Sequence, residues 1–265
     1  MAVTPLLGMP AVRPFALFGP AHLAALLALA LAAVGIVWLV RRHPATATPV
    51  RLGLALVLAV LAVAVLFIEH HAGTPWAYLA PLHLCDAAIV LGVWALLTRH
   101  RLIIELLYFW ACAGTTLALL TPDLGEDFPH LHFLSYFALH GAVVVAALLL
   151  VVGLGYGPRP GAVWRALLGL NVYAAAVGVV NVAFGTNFLY LCAKPLAPTP
   201  LDWFGPWPFY LLAGEGVALG LFTLLALPFR RGARRGPLRD TSAGRRTNPP
   251  GSSPSRSSAP RARPR

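Results

Sequence analysis

Residues 20–40 read PAHLAALLALALAAVGIVWLV, and this stretch decides the fold class. It contains no Asp, Glu, Lys or Arg, and a helix of about 20 such residues crosses the hydrocarbon core of a bilayer. Pro20 suits the first turn of a helix, where its missing N–H is not needed. A secretory signal peptide fits poorly, because only Arg13 precedes the run and no small-residue cleavage site comes before Arg41 and Arg42. We predict a membrane-spanning helix that is retained.

Six further segments are also predominantly apolar and long enough to span a bilayer, at about residues 50–68, 81–98, 102–120, 132–153, 163–184 and 206–229. The whole chain of 265 residues is 58% hydrophobic and only 11% charged, whereas a soluble domain carries about 25% charged residues. This composition excludes a soluble enzyme. The predicted fold class is all-α, a polytopic membrane bundle of seven transmembrane helices.

The basic residues predict the orientation of this bundle. Of the 20 Lys and Arg residues, 18 fall in the tail or in loops that share one side of the predicted bundle. The other two, Arg13 and Lys194, fall on the opposite side with most of the loop carboxylates. Because basic loops stay in the cytoplasm, we expect the N-terminus outside and the C-terminus inside.

Three regions follow from this topology: an outside segment at 1–19, the transmembrane domain at 20–229 and a cytoplasmic tail at 230–265. The tail is rich in Arg, Pro and Ser, has almost no apolar residue and is predicted to be disordered. The net charge of +11 comes mainly from this tail, so it indicates topology and no nucleic-acid partner is predicted. The tail is either a solvated topology anchor or a contact for anionic lipid headgroups.

Polar residues within apolar spans are candidates for function, because burying them in a bilayer is costly. The predicted topology places His83, Cys85 and Asp86 within two turns of the outer surface. His140 is about eight residues into the fifth span, near 12 Å at about 1.5 Å per residue. Asn181 and Glu215 lie in the outer halves of the last two spans. These groups are expected to converge in the outer half of the bundle.

Helical geometry limits which of these groups can meet. At about 100° per residue, His83 and Asp86 share a face while His83 and Cys85 do not. The partner of Cys85 must then come from another helix, and His140 is the histidine deep in a span. A cysteine and a histidine form a nucleophile–base pair in which the imidazole takes the thiol proton and the thiolate attacks an acyl carbonyl. The alternatives are that Cys85 only packs and that His140 only bonds a neighbouring helix.

This pairing carries a structural expectation. The third and fifth spans should be neighbours, with Cys85 and His140 within about one side-chain contact and Asp86 or Asn181 orienting the imidazole. Asn181 and Glu215 are otherwise interhelical hydrogen-bond partners.

Other polar positions are weaker candidates. Asn187, Tyr190 and Lys194 could hold a lipid phosphate over the site, or belong to an interfacial aromatic belt. Glu105 is expected to form a salt bridge with Arg101, four residues before it.

The three cysteines show no paired spacing, which leaves open only a Cys85–Cys192 disulfide. Six of the nine histidines fall on the outer side, but no H-E-x-x-H or C-x-x-C spacing supports a metal, so neither a metal nor a cofactor is predicted.

The motifs of this chain resemble those of a known family. They include FGPAH at 18–22, PLHLCD at 81–86, ELLYFW at 105–110, LTPD at 120–123, HG at 140–141, NVY at 171–173 and GTNFLY at 185–190. Their order is similar to that of the YwaF-type bacterial integral membrane proteins, which are similar in turn to eukaryotic transmembrane protein 164. The resemblance covers about residues 14–229. One difference is Phe188, where the family pattern leads us to expect Tyr.

The resemblance implies an activity and a location. The eukaryotic relatives are regarded as lipid acyltransferases that use a Cys and a His, which correspond here to Cys85 and His140. The first hypothesis is therefore an acyltransferase or hydrolase in the bacterial cytoplasmic membrane, whose partners are membrane lipids as acyl donor and acceptor. The second is a non-catalytic seven-helix permease or sensor in which Cys85 only packs. No oligomeric state is predicted.

Overall fold

The computed structural model describes residues 13–71, 73–75, 79–195 and 200–230. Within these ranges the chain is helical apart from turns, loops and one isolated β-bridge between Pro14 and Glu126, which agrees with the predicted all-α class. The apolar helices are α1 (Pro20–Arg42), α2 (Ala47–His71), α3 (Leu84–Thr98), α4 (Arg101–Leu120), α5 (Leu131–Gly153), α6 (Ala162–Phe184) and α7 (Phe209–Arg230). All of them except α3 are long and apolar enough to cross a membrane. The protein is a multi-pass membrane protein.

Helix α3 is shorter than the predicted span at 81–98. It has 15 residues, about 22 Å at 1.5 Å per residue, whereas the hydrocarbon core is about 30 Å thick. The helix begins at Leu84 because the Asp86 carboxylate accepts the His83 N–H at 3.0 Å, which caps the first turn. Of the seven predicted spans, six have full length and the third is apolar but short.

The core lies between the central helices. Helices α3, α4 and α5 contribute most of its fully buried side chains, among them Leu96, Leu107, Phe109 and Leu149. Helices α1, α2 and α6 instead expose large apolar side chains such as Trp38, Val63 and Val182. Exposed apolar surface of this kind suits lipid chains, so the outer helices form the lipid-facing wall around a protein-like centre.

An ion cluster at one end of the bundle corrects the expectation for Glu105. Its carboxylate accepts hydrogen bonds from Arg159 and Arg165 at 2.9–3.1 Å, whereas the guanidinium of Arg101 lies over the Tyr156 ring. The expected Arg101 partner is therefore wrong. The physical reason is that Glu105 points into the core, where Arg159 in the loop before α6 and Arg165 in the first turn of α6 supply two guanidiniums in fork-like geometry.

The same end holds two more arginines that bond to main-chain carbonyls. Arg51 donates to the carbonyls of Leu96 and Leu97 at the C-terminus of α3, where a positive charge complements the helix dipole. Arg41 donates to the Val152 carbonyl at 3.0 Å. The predicted basic side of the bundle is thus one end of the fold. Its location inside the cell stays a prediction, and the basic tail at 231–265 lies outside the described residues.

Gly141 lets α5 approach α1 closely. A Cβ at this position would overlap the side chain of Leu29, including its Cγ. We therefore expect Gly141→Val to lower the free energy of unfolding by about 1–3 kcal/mol, as overpacking of a core does. Thermal unfolding of the purified protein in detergent measures this loss.

Gly35 offers the matched control for this substitution. It lies in the exposed part of α1 and has nothing within 4 Å of its Cβ position. Gly35→Val should leave stability nearly unchanged. Equal losses for the two variants would contradict the close approach at Gly141.

Candidate functional site

Cys85 lies in the first turn of α3, half-buried and facing the bundle. Its thiol interacts with the Thr115 hydroxyl, although the two groups do not reach an aligned hydrogen bond. Thr115 is 1% exposed and belongs to the π-helical turn Ala111–Thr115 of α4. π-Helical turns inside α-helices are frequent at functional sites. The thiol is thus placed against a distorted part of its neighbouring helix.

His140 is oriented by its own helix. Its Nδ1 lies 2.9 Å from the main-chain carbonyl oxygen of Tyr136, and the two rings stack with centroids 4.0 Å apart. Because a carbonyl oxygen only accepts, this hydrogen bond puts the proton on Nδ1 and leaves Nε2 with a free lone pair. The tautomer is the one that a general base requires.

Tyr136 links this histidine to Cys85. Helices α3 and α5 pack against each other, as expected, and the Tyr136 phenol lies near both Cys85 and Asp123. Its hydroxyl donates to the Ala118 carbonyl at 2.9 Å. Between the described residues Cys85 and His140 themselves there is no hydrogen bond. The structure therefore brings the two side chains into one cluster through Tyr136 and not into direct contact.

A cavity of about 280 Å³ opens beside Tyr136 and His140, and Cys85 is not among the residues that line it. It lies between the end of α2, the loop before α5 and one face of α5. The lining includes Glu69, Asp123, Tyr136 and His140. A mainly apolar cavity whose lining includes carboxylates, an aromatic ring and a histidine can hold the polar group of a lipid near its ester.

The two other polar residues at the start of α3 shape the helix end. Asp86 caps the helix through the His83 N–H. The His83 ring packs against Phe188 at 5.3 Å and Tyr190 at 5.8 Å. Neither Asp86 nor His83 hydrogen-bonds to His140.

Asn181 is also bonded elsewhere than to His140. Its side chain is buried and accepts the Thr186 hydroxyl and the Phe188 N–H at 2.9 Å, while its amide donates to the Phe188 carbonyl. Asn181 thus fixes the loop after α6. The Tyr136 carbonyl, and not Asp86 or Asn181, is the group that orients the imidazole.

The loop after α6 satisfies its polar groups internally. Asn187 bonds the main chain of Cys192 and Ala193, and the Lys194 ammonium lies 3.7 Å from Asp202. Burial and the Asp123 charge raise the pKa of Tyr190, so its phenol stays protonated. Of the three residues expected to hold a phosphate, none is among the residues that line the cavity.

Glu215 and the cysteines complete the set of predicted residues. The Glu215 carboxylate accepts the Asn171 amide at 3.0 Å and joins α7 to α6. Cys85, Cys112 and Cys192 are all free thiols, so the pairing of Cys85 with Cys192 that the sequence left open is not formed.

The sequence reasoning missed Tyr136, Thr115 and Asp123 as members of the cluster. Tyr136 precedes His140 by one helical turn, and residues at i and i+4 share a face, so spacing alone offered a signal. Thr115 and Asp123 offered none, because their proximity to Cys85 and Tyr190 depends on how the helices pack.

Comparison with known proteins identifies the family of this chain. A model of the TMEM164 family matches residues 17–226. The chain belongs to the TMEM164 family. The match spans α1 to α6 and most of α7 and includes Cys85, His140 and Tyr136, so the cluster lies in the part of the chain that the family model matches.

One relative of this TMEM164 family member comes from Treponema pallidum (strain Nichols) and is called "Uncharacterized protein". The two sequences are 32% identical over 161 residues, which is 60% of this chain and 65% of the relative. The aligned region thus spans somewhat less than two thirds of the relative. No solved structure matches the chain.

Proposed function

We propose that this TMEM164 family member transfers or hydrolyses acyl chains of membrane lipids, with Cys85 as nucleophile and His140 as general base. The observation that carries the proposal is the position of Tyr136, which stacks on His140 and lies near Cys85 on the helix packed against it. The Nδ1 bond to the Tyr136 carbonyl, which leaves Nε2 free, supports the role of His140. The family resemblance supports the lipid acyl substrate.

The proposed reaction has two half-reactions. In the first, His140 Nε2 takes the Cys85 thiol proton, the thiolate attacks the acyl carbonyl of a lipid ester, and the lipid alcohol leaves with that proton. In the second, the hydroxyl of an acceptor lipid attacks the thioester, gives its proton to His140, and Cys85 leaves as the thiol. Water in place of the acceptor gives hydrolysis.

Lipid binding has to bring the thiol and the imidazole together. Catalytic hydrogen bonds are often loose without substrate and tighten in the complex. The thiol is held only by the poorly aligned Thr115 contact, so a rotation of the Cys85 side chain breaks no strong hydrogen bond. The acyl donor and acceptor are the partners of this proposal.

A thiol-reactive lipid probe tests the nucleophile directly. The protein in membranes should be labelled at Cys85, and Cys85→Ala should remove the label. Cys112→Ala is the matched control, because Cys112 is another half-buried thiol, three residues before Thr115. Labelling that persists in Cys85→Ala, or that moves to Cys112, would contradict the proposal.

A permease or sensor is the second candidate function. The observation in its favour is that Cys85 and His140 share no hydrogen bond within the described residues. In this alternative Cys85 packs against Thr115, and the cavity binds a small polar molecule without reacting with it. Such a protein would not be labelled at Cys85 by the thiol-reactive lipid probe.

The orientation belongs to the same proposal, because it decides which leaflet supplies the lipid. We infer that the end of the bundle with Arg51 and Glu105 faces the cytoplasm of a bacterial cell, with the cavity at the outer surface. A reporter fused after Arg230 should be cytoplasmic. Fusions after Arg42 and after His71 serve as controls and should report inside and outside. Periplasmic activity after Arg230 would overturn this orientation.

A further inference from the structure

The loop before α5 brings three metal-ligating side chains together. Ligand atoms of Glu126, His130 and His132 all lie within 4.8 Å of one another. His132 Nδ1 is 3.6 Å from a Glu126 carboxylate oxygen, and the two imidazole rings are 5.2 Å apart. No motif spacing marked these residues in the sequence. We propose that they bind one divalent transition metal ion of the Zn²⁺ class.

The ligand set fits this chemistry. Zn²⁺ takes imidazole nitrogen and carboxylate oxygen at about 2.0–2.2 Å in tetrahedral geometry, so its ligand atoms lie about 3.3 Å apart. The observed separations of up to 4.8 Å have to shorten to this value when the ion binds. Two histidines and one carboxylate leave a fourth position for water or for an anionic oxygen ligand, which is typical of sites that do more than hold the fold.

The backbone that carries the ligands is fixed by the N-terminal segment. Pro14 forms the β-bridge with Glu126. The main chain of Phe15 donates to Gly125 at 3.0 Å, and Asp127 donates to Arg13 at 2.9 Å. His130 is tied in turn to the Asp127 carbonyl at 3.0 Å. A ligand set held by main-chain bonds loses little entropy when a metal binds.

The local charge favours a cation. Asp123, Glu126 and Asp127 lie in this loop, and the sequence contains no Lys or Arg between Arg101 and Arg159. The one basic residue whose main chain bonds this loop, among the described residues, is Arg13, so three carboxylates face one guanidinium. The N-terminus of α5 repels a positive charge, and the carboxylates of the loop offset this repulsion. His130 Nδ1 accepts the His132 N–H at 3.3 Å, a long hydrogen bond that a metal can replace.

The site would stand at the entrance of the cavity. Glu126 and His132 line the same cavity as His140, and His132, Tyr136 and His140 follow one another at helical spacing on one face of α5. His132 is about 12 Å above His140 along the axis, at 1.5 Å per residue. A bound ion there would meet the anionic headgroup of a lipid before its ester reaches Cys85. The metal site itself does not depend on the proposed acyl transfer.

Direct metal binding tests the inference. The full chain is purified in detergent with a tag that contains no histidine, stripped with a chelator and titrated with Zn²⁺ against a competing indicator dye. We expect one Zn²⁺ per chain, an affinity that falls as pH falls because imidazoles must be neutral to ligate, and a rise in melting temperature on binding. A chain that binds no Zn²⁺ would overturn the proposal.

Variants locate the site. His132→Asn and Glu126→Gln should each weaken Zn²⁺ binding at least about tenfold. His71→Asn is the matched control, because His71 is an exposed histidine at the end of α2 outside the ligand group. Unchanged affinity in the Glu126→Gln/His132→Asn double variant would place the ion elsewhere and overturn the proposal.

X-ray absorption of the Zn²⁺-loaded wild-type protein gives a measurement that does not depend on how the variants fold. It should show imidazole and carboxylate ligands at about 2.0–2.2 Å and no sulfur. A Zn–S distance near 2.3 Å would assign the ion to a cysteine and contradict the site.

Discussion

Cys85→Ala should abolish lipid acyl transfer, and His140→Ala should abolish it to nearly the same extent. The first variant removes the attacking sulfur, and the second removes the base that takes its proton at a depth where water solvates a thiolate poorly. Each loss should be about 10³-fold or more, and the double variant should be no slower than either single one, because paired catalytic groups fail as a unit. The measurement is the transfer of a labelled acyl chain between phospholipids in proteoliposomes.

Two controls separate chemistry from packing. Cys112→Ala removes a comparable thiol and should keep the rate. Tyr136→Phe keeps the stacked ring and the carbonyl that orients His140 but removes the hydroxyl bonded to Ala118. It should fold and retain most of the activity. Independent, multiplicative losses for Cys85→Ala and His140→Ala would show that the two residues do not act as a pair.

The helices themselves could be predicted from the sequence because hydropathy alone determines them. The predicted spans at 20–40 and 163–184 match α1 (Pro20–Arg42) and α6 (Ala162–Phe184) within two residues. The errors occur where local chemistry intervenes. Helix α3 starts late because Asp86 caps it, and α7 begins at Phe209 rather than residue 206 because Pro208 disfavours the helical conformation at Trp207 before it.

The candidate site could be predicted only in part. The depth of Cys85 and His140 followed from topology, and their helices do pack together. The group that orients the imidazole could not be derived from the sequence. Asn181 was a candidate until the structure showed its side chain hydrogen-bonded to Phe188. The Asp86 cap had a local signal, because an acidic residue three positions after the N-cap is a common capping arrangement.

The Glu105 cluster shows why long-range partners escape sequence reasoning. Arg101 is a natural i,i+4 partner, yet the carboxylate is bonded by residues 54 and 60 positions later. Their proximity exists only after α4 and α6 have packed. Glu126 and His132 are only six residues apart and approach across the turn into α5, so their pairing depends on the conformation of that turn, which hydropathy does not determine.

Glu105→Gln should be the most destabilising single substitution of a polar residue at the basic end of the bundle. The Glu105 side chain is 2% exposed, while those of Arg159 and Arg165 are 44% and 35% exposed. The carboxylate accepts five hydrogen bonds from the two arginines. An amide is neutral and turns donors towards two guanidiniums. Breaking a buried ion pair costs about 3–5 kcal/mol, and the partly exposed arginines place the expected loss near the lower value.

Thermal unfolding in detergent measures this loss, and Glu215→Gln is its matched control. Glu215 is also a helix carboxylate, but its interhelical bond is a single one with the Asn171 amide, so its replacement should cost no more than about 1 kcal/mol. Arg165→Gln should lower the free energy of unfolding less than Glu105→Gln. After Arg165→Gln the carboxylate keeps Arg159 as a partner, whereas Glu105→Gln leaves both arginines without their anion. Equal losses for Glu105→Gln and Glu215→Gln would mean that the cluster contributes no more to stability than an ordinary interhelical hydrogen bond.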